Sequence, residues 1–89
     1  MKTIQLIITG RVQGVCFRAY TQKQAIKYQI IGFVRNKSDG SVEVVASAES
    51  EQLKTFINWC HKGPVLASVK EVVINEHVSS EIFTQFEIR

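Results

Sequence analysis

With 89 residues, a net charge of +3 and a pI near 9.1, the chain has room for one domain, residues 1–89, and none for a second. A chain of this length buries roughly 60–65% of its unfolded surface, so a modest core can form without a structural metal or disulfide. The apolar run at residues 4–8 is too short to span a membrane, and nothing after it reads as a signal-peptide cleavage site. A cytoplasmic protein with no membrane role is expected. The eleven basic residues are scattered and form no run, so they favour anionic partners only in general.

Residues 2–9 place Ile4, Leu6 and Ile8 on one face and Thr3, Gln5 and Thr9 on the other, the alternation of a half-buried strand. Two glycines then punctuate the run G-R-V-Q-G-V-C-F-R at residues 10–18. From Phe17 the period changes, and Phe17, Thr21, Ala25 and Tyr28 recur at helical spacing along one stripe. Residues 30–36 and 41–47 are rich in Ile, Val and Phe and flank Asp39-Gly40, which predicts an antiparallel hairpin. Leu53, Phe56, Ile57 and Cys60 mark a second helix, stopped by Lys62-Gly63-Pro64. Residues 69–75 and 83–89 read as strands, separated by polar residues at 77–81.

That order is the split βαβ arrangement of an α+β, ferredoxin-like βαββαβ sandwich. It implies a mostly antiparallel sheet with an added C-terminal strand, and right-handed crossovers place both helices on one face. No repeat or low-complexity tract interrupts it. Cys16 falls in the glycine-punctuated turn and Cys60 on a helical stripe, so two free thiols are expected.

The turn from strand to helix is the chain's most informative feature. Glycine lets backbone approach a ligand, so the amides of Gly14, Val15, Cys16, Phe17 and Arg18 can converge where the helix dipole is positive. Arg18 adds a planar fork able to donate two parallel hydrogen bonds to a phosphoryl group. No Gly-Lys-Ser or Gly-Lys-Thr follows, which excludes a phosphate-loop NTPase, and the third glycine of a dinucleotide site is absent. Cys16 and Arg18 lie too close in sequence to bracket a phosphate as a cysteine phosphatase requires.

Residues 10–18 resemble the first acylphosphatase signature, G-x-V-Q-G-V-x-F-R, at every fixed position. Residues 32–42, G-F-V-R-N-K-S-D-G-S-V, resemble the second, G-F/W/Y-V-x-N-x-x-x-G-x-V. Residues 63–69 and the closing Phe86-Glu87-Ile88-Arg89 look like the family too, so the resemblance covers nearly the whole chain.

The resemblance implies a small hydrolase of acyl phosphates such as acetyl, carbamoyl or glyceroyl phosphate, with inorganic phosphate as product and inhibitor. It makes Arg18 the phosphate-binding catalytic residue, completes the cradle with the amides of Gly14 to Phe17, and gives Asn36 the attacking water. A carboxamide both accepts and donates, which suits that task, whereas a carboxylate would repel the substrate. Because the leaving carboxylate departs without protonation, positioning and charge neutralisation suffice. The carboxylates form no recognisable metal spacing, so neither metal nor other cofactor is expected. His61 and His77 receive no catalytic role, and Cys16 is read as a small side chain turned away from the ligand and sensitive to oxidation.

Two other readings compete. An RNA-recognition module shares the element order, but residues 2–9 and 41–47 carry no aromatic to stack on bases, so no nucleic-acid partner is expected. A non-catalytic anion- or partner-binding domain would not need both Arg18 and Asn36. The chain departs from the family at Ala48 and Gln29, where glycine is usual. A left-handed backbone at Gln29 would cost about 1 kcal/mol relative to glycine. With few exposed aromatics, the chain is read as a monomer.

Overall fold

Strand alternation decides which side chains meet. In β1 (Lys2–Arg11) every second residue from Ile4 to Ile8 is buried, and each such side chain contributes about 1.5–3 kcal/mol. The computed structural model describes residues 1–76 and 80–89. The separator expected at residues 77–81 therefore lies partly outside the described residues, His77 included.

The other elements follow as α1 (Phe17–Lys27), β2 (Ile31–Asn36), β3 (Val42–Ala48), α2 (Ser50–Lys62), β4 (Ser68–Glu76) and β5 (Phe86–Ile88). The sheet order is β4-β1-β3-β2-β5, antiparallel throughout except for the parallel pair β2/β5. The ferredoxin-like expectation with an added C-terminal strand is met. Pairing of Leu6 with Val44, and of Val44 with Val34, lines up one apolar face. Phe17 and Ala25 of α1 and Leu53, Phe56 and Cys60 of α2 join that same buried cluster, so both helices cover one face.

The stripe of α1 contains a polar residue, Thr21, which is fully buried. Its hydroxyl donates to the Phe17 carbonyl at 2.7 Å, so no polar group is orphaned there. The helix ends in a Schellman arrangement, with Ile30 N donating to Ala25 O at 2.8 Å and Gln29 N to Ile26 O at 3.2 Å. This requires a left-handed residue, and Gln29 supplies it at φ 58° without being glycine. Ala48 ends β3 in the core, and α2 starts normally behind it through a Glu49–Gln52 capping box.

The last strand is shorter than the residues 83–89 expected from composition. Only Phe86–Ile88 pair with β2, while the segment before them is held by Gly32 N donating to Gln85 O at 3.0 Å and by Phe83 against Phe33. Side-chain type alone does not distinguish a paired strand from a segment packed on a sheet by its aromatics.

Candidate active site

The loop between β1 and α1 bends through two left-handed residues, Gly14 at φ 74° and Cys16 at φ 63°, ψ 22°. Left-handed residues alternating with others are the backbone pattern of anion-binding concavities. Cys16 is the N-cap of α1, but its side chain makes no capping bond and the first turn carries no acid. The N-terminal donors of α1 and the positive end of its dipole are thus left open. At α2 the corresponding end is closed by the side chains of Glu49 and Gln52.

Asn36 reaches the same place through sheet register. It pairs with Val42, which pairs in turn with Ile8, so it shares the helix-covered face with Val34. Arg35 falls on the opposite face and donates to Glu43 at 2.5 Å, where Gln5 also donates at 2.6 Å. Burial pushes the Glu43 carboxyl up. The bonds from Arg35 and Gln5, with the Arg35 charge, outweigh this and hold it below the usual carboxylate range.

The turn after Asn36 is fixed by its own bonds and by a visitor. Lys37 N donates to Ser41 O at 2.8 Å, and Asp39 accepts from Ser41 N at 3.0 Å and Ser41 Oγ at 2.5 Å. Gln13, from the β1–α1 loop, donates through Nε2 to Lys37 O at 2.8 Å and to Ser41 O at 2.9 Å. Both amide hydrogens are used, so the loop is clamped to the hairpin that carries Asn36.

A cleft of about 340 Å³ opens between these parts, lined among others by Gly14, Cys16, Phe17, Arg18, Asn36 and Ile88. Among the described residues no hydrogen bond or ion pair engages the side chain of Arg18, which is half-buried. Asn36 Oδ1 is closed off from solvent and has no hydrogen-bond partner. An orphaned buried acceptor costs about 1–3 kcal/mol, which a donor entering the cleft would relieve. An unpaired cation and an unsatisfied carboxamide thus share one cavity with an open helix N-terminus.

Of the residues singled out from sequence, Gly14, Cys16, Phe17, Arg18 and Asn36 line this cleft, whereas Val15 is buried and does not line it. Cys16 is exposed and lines the cleft, where the sequence reading has it turned away. Cys60 is buried, and burial pushes its thiol up, so it stays protonated. The clamp by Gln13 has no signature of its own in sequence beyond its place inside the first motif.

Fold and cleft together define an α+β protein of ferredoxin-like topology with an anion-receptive pocket at one end of its sheet. The chain belongs to the acylphosphatase family, whose model, described as Acylphosphatase, matches residues 4–88. It is similar to the acylphosphatase of Pasteurella multocida (strain Pm70), at 46% identity over 96% of this chain and 94% of that one. The crystal structure of acylphosphatase from Bacillus subtilis superposes with a TM-score of 0.94 at 34% identity, covering 100% of this chain and 99% of that one. An acylphosphatase structure from Coxiella burnetii gives a TM-score of 0.92 at 36% identity, covering 99% and 92%. The chain is accordingly an acylphosphatase, an enzyme that hydrolyses acyl phosphates.

Proposed function

We propose that Arg18 and the backbone amides of Gly14 to Arg18 hold the phosphoryl group while Asn36 orients the attacking water. The observation carrying this reading is the meeting, in one cleft, of the unpaired Arg18 and the unsatisfied Asn36 Oδ1. Water attacks phosphorus, the bond from phosphorus to the acyl oxygen breaks, and its electron pair leaves on the carboxylate. The proton lost by water ends on the phosphate product or in solvent. No side chain has to protonate the leaving group, which agrees with a cleft whose described lining carries no acid.

The Arg18 fork and the donors at the start of α1 neutralise the phosphoryl oxygens, so the reading needs neither metal nor cofactor. Inorganic phosphate, which fits the same donors, acts as product inhibitor. The two unpaired thiols suit a reducing, cytoplasmic compartment. The reading takes the protein as a monomer with no membrane partner, and it names no nucleic-acid partner because β1 and β3 offer no aromatic platform for bases.

The test is phosphate release from benzoyl phosphate in the presence of a chelator. Wild-type protein should turn over, and Arg18→Lys, which keeps the charge but loses the fork, should fall by about 10²–10³-fold. Lysine supporting the wild-type rate would remove Arg18 from the proposed role.

A further inference from the structure

A second cavity adjoins the cleft, and its side-chain lining is mostly apolar. It is an apolar groove of about 370 Å³ between the start of α1 and the α2–β4 connection, lined among others by Cys16, Tyr20, Trp59, Lys62, Val65 and Leu66. Val65 is 99% exposed, Leu66 67% and Tyr20 46%, so three large apolar side chains stand open to solvent around one depression.

The groove is continuous with the cleft. Cys16 lines both, and Phe17, a wall of the cleft, packs on Trp59, a wall of the groove, with ring centroids 5.7 Å apart. The side on which it lies is equally informative. Asn36 belongs to β2, whereas the groove is built where α2 leads into β4, and β1 and β3 lie between those strands in the sheet. A water held by Asn36 therefore approaches phosphorus from one side, and the groove flanks the other, where in-line displacement requires the leaving group.

We infer that this groove is the acyl subsite, and that it selects acyl phosphates with an aromatic or extended alkyl group over acetyl or carbamoyl phosphate. The inference rests on the phosphoryl reading given above. Tyr20, Trp59 and Leu66 remove the apolar group from water, and Lys62, among the described residues the one charged side chain lining the groove, complements the carboxylate as it departs.

The experiment compares kcat/KM for benzoyl phosphate with that for acetyl phosphate in wild-type protein, Leu66→Ala and Tyr20→Ala. The inhibition constant of inorganic phosphate is measured alongside, and circular dichroism confirms folding. Both substituted side chains are substantially exposed, so neither change empties the core. Each variant should lower the benzoyl-to-acetyl ratio by about tenfold, the low end for an apolar pocket contact because this groove is open. The phosphate constant should stay within a factor of about two, and Leu66→Met should restore the ratio. Unchanged ratios in both variants, with both substrates turned over, would overturn the subsite and leave the hydrolase reading intact. Failure of wild-type protein to hydrolyse either substrate would overturn both.

Discussion

Gln13 and Lys37 are joined across 24 positions by a 2.8 Å hydrogen bond from the side-chain amide of one to the main-chain carbonyl of the other. The same amide reaches Ser41 O at 2.9 Å, so a single side chain sets the spacing between the loop that starts α1 and the hairpin that presents Asn36. Both carbonyls keep a backbone donor without it, Gly40 N at 3.2 Å for Lys37 O and Lys37 N at 2.8 Å for Ser41 O. Gln13→Ala should therefore cost only about 1–3 kcal/mol in stability for two neutral bonds. It should lower kcat by about tenfold or more with little change in KM if Asn36 orients the attacking water as proposed, since misplacing such a group harms the transition state and not binding. Denaturant unfolding and steady-state kinetics on one preparation give both numbers, and a change confined to KM would show that Gln13 does not position Asn36.

The left-handed Gln29 is a removable source of strain. Its φ of 58° serves the Schellman turn at the end of α1, and glycine adopts that geometry without a Cβ penalty. Gln29→Gly should stabilise the fold by about 1 kcal/mol and leave kcat untouched, since the residue is exposed and away from the cleft. Thermal unfolding reads this directly. A lower Tm would mean that the Gln29 side chain makes up for its own backbone strain.

Acid should loosen the sheet through Glu43. Its carboxyl lies below the ordinary value of 4.5 in the folded protein, held there by Arg35 and Gln5 against the effect of burial. A lowered folded-state value means that the unfolded chain binds the proton more readily. The contribution is complete above about pH 5 and is lost as pH falls through the folded value. Glu43→Gln should be less stable than wild type at pH 7, and the gap should narrow as pH falls through the folded-state value of Glu43. Equal pH profiles of unfolding free energy for the two proteins would contradict this.

Oxidation should separate the two thiols. Cys16 is exposed beside the open start of α1, whereas Cys60 is buried and its thiol is pushed up by desolvation. Peroxide should modify Cys16 first and slow turnover by obstructing the cleft, and Cys16→Ser should resist. Mass spectrometry identifies the modified residue, and equal inactivation of both proteins would clear Cys16 of this effect.

Much of this molecule is written in its periodicity. Alternation in residues 2–9 and the i, i+3, i+4, i+7 stripe of Leu53, Phe56, Ile57 and Cys60 are local signals of burial, and both elements occur where those signals lie. Arg18 and Asn36 were legible because each sits in an extended motif, and sheet register then brings Asn36 to the cleft that Arg18, in the first turn of α1, also lines. Other features depend on partners far along the chain. Residues 83–85 have strand-like side chains but no ladder beyond the Gly32–Gln85 bond. Glu43 sits in the wholly buried strand β3, where bonds from Gln5 and Arg35 on neighbouring strands make its carboxylate tolerable. The left-handed backbone of Cys16 is carried by a residue type that rarely adopts it, so nothing in its identity announces the turn.

The division of labour between Arg18 and Asn36 is tested most directly by measuring kcat on benzoyl phosphate together with the inhibition constant of inorganic phosphate for Arg18→Ala and Asn36→Ala. Arg18→Ala should lose turnover and phosphate affinity together. Asn36→Ala should lose kcat by about 10²–10³-fold while binding phosphate within a factor of about three of wild type. Wild-type turnover in either variant, or phosphate affinity lost through Asn36 and retained without Arg18, would contradict the assignment of anion to one side chain and water to the other.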